Sequence, residues 1–207
     1  MKNGMSWVMV GWVSCALGAD VTVESLDASS DGNKTESPHV LFVNVNGAVS
    51  AAELKGAVTN IVYEAPVHLA YASVPRMDYG KLLQKNPENP CLDRSAKLVV
   101  YVVNDPQTVS FVSVPKEWAL VNVAGFETNN PLLNSVRLKK LMLKGFALAC
   151  GAGGNHDSTR CVMAVDSFSP ATIDSTGISY SPFASAPVQT TLDSFAGIYL
   201  DEPGVKK

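Results

Sequence analysis

The segment between Asn130 and Gly151 constrains the rest of the chain most. Leu132, Leu133, Val136, Leu138, Leu141, Met142, Leu143, Phe146, Ala147 and Leu148 put apolar side chains on most sides of one helix. Such a helix belongs inside a domain rather than on its surface. Both ends are marked. Asn130 is a good N-cap, and Pro131 suits the first helical position, where no amide hydrogen is needed. Gly151 suits the stop, because glycine enters the left-handed backbone region without strain. A buried helix of this length needs covering layers, and 207 residues are enough for one domain that supplies them.

The covering layer reads as a sheet. His39 to Val45, Val67 to Val74 and Lys97 to Val103 are nearly continuous apolar runs of strand length, the pattern of strands buried on both faces. Between the first two, Ser50 and Glu53 form a capping box. Leu54, Ala57, Val58, Ile61, Val62 and Ala65 then recur at helical spacing until Pro66. Strand, helix, strand is a parallel crossover unit. Val109 to Val114 and Trp118 to Ala124, separated by Pro115-Lys116-Glu117, read as antiparallel neighbours. Pro75 to Ser95 reads as a surface excursion with a helical turn near Asp78 to Lys85. The fold class is therefore α/β: a mixed twisted sheet of four to five strands, a crossover helix and a long central helix. From about residue 164 the chain is rich in Ser, Thr, Pro and Gly and is expected to be irregular.

The N-terminal region reads differently. Met5 to Cys15 is an apolar run behind Lys2, and Ala16-Leu17-Gly18-Ala19 offers small residues for a signal peptidase. Residues 1–19 are thus expected to be an export signal, too short to span a bilayer. Lipid attachment at Cys15 is the alternative. Residues 20–38 read as a flexible polar spacer and 39–207 as the single globular domain, in a periplasmic or secreted protein. A net charge of −3 gives no reason to expect a nucleic-acid partner. Of the remaining cysteines, Cys150 and Cys161 are closest in sequence, and a disulfide between them would be worth about 3 kcal/mol. Three buried free thiols, with Cys91, are the equal alternative.

No Gly-x-Ser-x-Gly elbow, phosphate-binding loop or Cys-x-x-Cys pair is present, and the histidines are His39, His68 and His156. Arg137, Lys140 and Lys144 share one helical face, with Lys139 nearby and no acid in the helix. This stripe is expected to be the solvated edge of the helix, its long side chains reaching water. The alternative reading draws an anionic group toward Lys144.

The order of elements, and the run from Leu143 through a glycine-rich turn to Cys161-Val162-Met163, resembles the archaemetzincins among the metzincin-like zinc peptidases. That resemblance implies a zincin-like fold. In the family the helix carries H-E-x-x-H-x-x-G-x-x-H, followed by C-x-M, whose methionine lies beneath the zinc. With the motif glycine at Gly151, the ligand and base positions fall on Lys144, Gly145, Leu148 and Gly154, so the motif is degenerate. Cys161 and Met163 keep the C-x-M pattern. A catalytic zinc needs three protein ligands, an open position for water and a nearby carboxylate. Only His156 and Asp157 lie within reach of the glycine turn as metal-ligand candidates, and two adjacent residues make no tripod. The expectation is therefore no cofactor, no catalytic residue, and a peptidase-like domain that binds a peptide or protein through a sheet edge. The alternatives are an active zinc peptidase in which His156, Asp157, His68 or His39 converge, and an unrelated envelope domain.

Overall fold

The structure, a computed structural model, describes residues 11–14, 20–25, 39–59, 61, 69–74, 77–83, 96–153, 160–164 and 169–195. Its centre is a seven-stranded sheet in the order β1-β2-β4-β3-β5-β7-β6. The strands are β1 (Gly11–Ser14), β2 (Asp20–Ser25), β3 (Val40–Val45), β4 (Leu69–Val74), β5 (Leu98–Val103), β6 (Phe111–Val114) and β7 (Trp118–Asn122). β4, β3, β5 and β7 are parallel neighbours, while β6 and the β1–β2 pair run antiparallel to the strands beside them.

The five strands read from the apolar runs are all present, and β1 and β2 extend the sheet beyond β4. β2 corrects the reading of Asp20 to Ser25 as spacer. Polar and apolar residues alternate through Asp20-Val21-Thr22-Val23-Glu24, the period-two pattern of a strand. β1 lies within the segment read as an export signal.

The uniform apolarity of β3, β5 and β7 has its cause in two hydrophobic layers. Val40, Phe42, Leu98, Val100, Val102, Ala119 and Val121 face the helices. Leu41, Val43, Val45, Val99, Tyr101, Trp118 and Leu120 pack on the other face, with Met77 and Ala96. Asn44 is the polar exception in β3. Its carboxamide donates to the Val49 carbonyl at 2.7 Å and accepts from the Val49 amide at 3.3 Å, which fixes the start of the crossover.

That crossover is α1 (Ala51–Val58), opened by the expected capping box between Ser50 and Glu53. It closes at Thr59, well before Pro66, so the helical spacing of Ile61, Val62 and Ala65 overstated its length. The expected turn near Asp78 is a 3-10 segment, Tyr79–Leu83. The long helix is α2 (Pro131–Ala149), capped by the Asn130 side chain on the amides of Leu132 and Leu133.

Between Ser169 and Phe195 the chain is not irregular, contrary to the expectation for the C-terminal part. It forms α3 (Pro170–Ser175) and α4 (Pro182–Phe195), both beginning with proline. Ala184, Val188 and Leu192 recur every four residues on the buried face of α4, and Pro187 within the helix masks that pattern in the sequence. Among the described residues no helix is long and apolar enough to cross a membrane.

Candidate functional site

The degenerate motif occupies the C-terminal half of α2, which packs on β5, β6 and β7. Lys144 is 1% exposed, and its ammonium stands 5.1 Å from the centre of the Phe111 ring on β6, a cation–π contact shielded from water. Gly145 faces the sheet. A Cβ there would lie 3.1 Å from Val100 Cγ1 and closer still to Val121 Cγ2. Leu148 is half-buried against the main core.

Gly151 has φ 91°, the left-handed geometry that favours glycine, and it closes α2. The Ala152 amide donates to the Ala147 carbonyl at 2.9 Å and the Gly151 amide to Leu148 at 3.0 Å, the paired bonds of a Schellman stop. Lys116, in the β6–β7 turn, donates its amide to the Ala149 carbonyl at 2.7 Å. α2 therefore ends against that turn.

Cys161 and Met163 lie beside the helix, both buried in the helix-side core. Cys161 Sγ accepts from the amides of Met163 at 3.3 Å and Ser181 at 3.2 Å. Val162 donates to the Ser179 carbonyl at 2.9 Å, and the Tyr180 hydroxyl donates to the Leu143 carbonyl at 2.6 Å. The chain from Ser179 to Ser181 thus straps the Cys-x-Met segment to α2. Burial raises the Tyr180 hydroxyl well above its ordinary value. The Cys150–Cys161 disulfide is not formed, since both residues are buried free thiols. Burial pushes the Cys150 thiol up to about 12.

The cationic stripe is not the solvated edge of the helix. Arg137, Lys140 and Lys144 are all buried, and only Lys139 is half-exposed. Arg137 grips Asp174 with two nitrogens, Nε at 2.8 Å and Nη2 at 2.5 Å, and donates Nη1 to the Phe126 carbonyl at 2.9 Å. Lys140 Nζ donates to the carbonyls of Ile173 at 2.7 Å, Thr176 at 2.6 Å and Asp174 at 3.4 Å. Desolvation lowers the Lys140 ammonium from its ordinary value, against the pull of Asp174. The hydrogen bond from Arg137 holds the Asp174 carboxyl below its ordinary value. The acid missing from α2 is therefore supplied by α3, more than thirty residues later.

Zinc does not fit the motif positions on α2. They present an ammonium, a bare backbone packed on valines and an isobutyl group, none of which donates a lone pair to a metal at neutral pH. Among the described residues no three His, Cys, Asp or Glu side chains come together. Gly154, His156, Asp157, His68 and Cys91 lie outside the described residues. His39, ahead of β3, stacks on Phe195 of α4 with ring centres 5.1 Å apart. The residues missed from sequence are Phe111, Asp174 and Tyr180. Each is defined by a partner distant in the chain, and no local pattern marks it.

No family model and no curated protein matches the sequence. Two solved structures are similar to it. The archaemetzincin of Methanopyrus kandleri is 19% identical over 77% of this chain and 98% of its own, with a TM-score of 0.55. The archaemetzincin of Archaeoglobus fulgidus, solved in complex with malonate, is 14% identical over 72% of this chain and 99% of its own, with a TM-score of 0.48. The first likeness shows that this chain has the archaemetzincin fold, a zincin-like metallopeptidase fold.

Proposed function

We propose that this protein is an exported, catalytically inactive relative of the metallopeptidase fold that binds an extended peptide along β6. The observation that carries this reading is the joint placement of the motif helix and the edge strand. Lys144, where the resemblance puts the first zinc ligand, lies under Phe111 of β6. A catalytic tripod therefore has no donors on α2, yet the strand beside it remains in place.

Among the described residues β6 ends the sheet, paired on one side with β7. The Asn122 amide donates to the Ser110 carbonyl at 2.9 Å, so Ser110, Val112 and Val114 turn their main-chain groups toward β7. By the same alternation Ser113 directs its main-chain groups away from it. An extended peptide adds to such an edge through main-chain hydrogen bonds, with alternate side chains giving specificity. The apolar run Met5 to Cys15 behind Lys2 supports export.

The test uses the purified full chain. Peptides selected from a random extended library bind without being cleaved. Ser113→Pro, which removes an outward amide but no ladder bond, weakens them at least about tenfold while leaving the unfolding midpoint nearly unchanged. About one zinc per chain, removed by a chelator together with peptide hydrolysis, overturns the proposal in favour of an active peptidase. Equal binding by Ser113→Pro removes β6 as the docking strand.

A further inference from the structure

A second site lies at the other end of the sheet, apart from the motif helix and β6. α2 stops against the β6–β7 turn, at the end of the sheet where the parallel strands begin. At the opposite end, the chain leaving β3 turns outward to β4 and the chain leaving β5 turns outward to β6 and β7. β3 and β5 are neighbours, so a gap opens between their carboxyl ends. In open α/β sheets this switch point is where ligands bind, because the diverging loops leave a crevice there.

Here the crevice exists. It has a volume of about 220 Å³ and is walled by Asn46, Gly47 and Ala48 after β3, by Asn104 after β5 and by Tyr79. Its walls are braced by hydrogen bonds. Asn46 and Gly47 take φ values of 55° and 69°, and the Ala48 amide donates to the Val45 carbonyl at 3.0 Å, closing a tight turn. The Asn46 carboxamide accepts from the Met77 amide at 2.9 Å and donates to the Met77 carbonyl at 3.4 Å, which holds the segment carrying Tyr79. The Tyr79 hydroxyl donates to Asp105. Asp105 is fixed in turn by Asn122, which accepts from its amide at 3.1 Å and donates to its carbonyl at 2.7 Å.

None of the wall residues carries a charged side chain. What the walls offer is a mixture of donors and acceptors: the Asn104 carboxamide oxygen, whose Nδ2 donates to the Ala48 carbonyl at 3.4 Å, the lone pairs of the Tyr79 oxygen, and the Gly47 amide, which makes no hydrogen bond among the described residues. Neutral hydroxyl groups, each both donor and acceptor, match that set. Asp105 behind Tyr79 opposes an anion. The volume is below the roughly 300 to 1,000 Å³ of pockets for drug-sized ligands, which limits the occupant to about one sugar ring. We infer that the crevice between the carboxyl ends of β3 and β5 binds a neutral, hydroxyl-rich ligand the size of one sugar ring.

The inference uses neither β6 nor the motif helix and stands whether or not peptide binding is found. The experiment follows the amide resonances of the isotope-labelled full chain during titration with D-glucose, D-mannose, D-galactose and N-acetyl-D-glucosamine. Sodium phosphate and N-methylacetamide serve as anion and amide controls. At least one sugar shifts the amides of Gly47, Ala48 and Asn104 saturably and leaves those of Phe146 to Cys150 in place. Asn104→Ala, at an exposed position, weakens that sugar about fivefold, the loss of one neutral hydrogen bond. Tyr79→Phe keeps the ring, loses the oxygen and weakens it similarly. No shift of these amides with any of the four sugars overturns the inference. A larger shift with phosphate or N-methylacetamide, or unchanged affinity in Asn104→Ala, does so equally.

Discussion

Gly145 is the point where α2 comes closest to the sheet, and its missing side chain is a packing requirement. By intrinsic helix propensity Gly145→Ala would gain about 1 kcal/mol. The new Cβ, however, would press on Val121 and stand 3.1 Å from Val100. Both valines are fully buried, and overpacking of this kind costs about 1 to 3 kcal/mol. The clash wins, so Gly145→Ala lowers stability by about 1 kcal/mol in chemical denaturation. Adding Val121→Ala makes room, and the two changes together cost less than their separate costs summed. Additive costs would show that α2 is not seated as described. The same contact explains why the glutamate of the resembled motif has no place in this chain. A carboxylate at 145 would be forced between two valines, far costlier than a methyl group.

At the scale of elements, α3 depends on α2. Six residues are too few for a helix to persist in water, so α3 is held by what docks it. Arg137 pairs with Asp174, and Lys140 collects three carbonyls at the end of α3. Lys140→Met keeps the apolar stem and takes the ammonium from the Thr176 carbonyl, while the Ile173 carbonyl keeps the Thr176 hydroxyl at 2.9 Å, at a cost of about 1 to 3 kcal/mol. Hydrogen exchange then quickens in α3 before α1, whereas uniform quickening would refute the docking role. The Arg137–Asp174 pair adds a pH dependence. The Asp174 carboxyl is held below its ordinary value of 3.8, so its contribution is fully present above that value. It is lost as pH falls through the lower folded value, and stability should drop below about pH 4. Asp174→Asn flattens that drop; an unchanged profile would assign the acid sensitivity to other carboxylates. These elements also show what the sequence made legible. β3, β5, β7 and α2 were readable because apolar runs, the Asn130-Pro131 start and the Gly151 stop are local signals. α4 was not, because Pro187 interrupts the apolar spacing, and α3 was not, because its six residues bury a single apolar side chain, Ile173. The burial of Arg137 and Lys140 was invisible because their partner acid lies across a loop.

For the whole molecule, the sheet separates two regions that the sequence did not distinguish. The motif stretch Leu143 to Met163 showed in the sequence because it is compact there. The crevice did not, because Asn46, Tyr79 and Asn104 converge only when β3 and β5 pair. The closed side of the molecule can be probed through its thiols. Cys150 and Cys161 are each 1% exposed, one beneath α4 and the other strapped by Ser179 to Ser181. Thiol reagents attack the accessible thiolate, and burial pushes Cys150 up to about 12. In a chain carrying Cys15→Ser and Cys91→Ser, neither thiol is therefore labelled in the native state at about pH 8. Both become labelled across the same denaturant range in which the helices melt, because neither is uncovered without separating α2 from the C-terminal segment. A reductant leaves the midpoint where it was. If a disulfide joined them instead, no thiol would appear on unfolding without reductant, and reduction would cost about 3 kcal/mol.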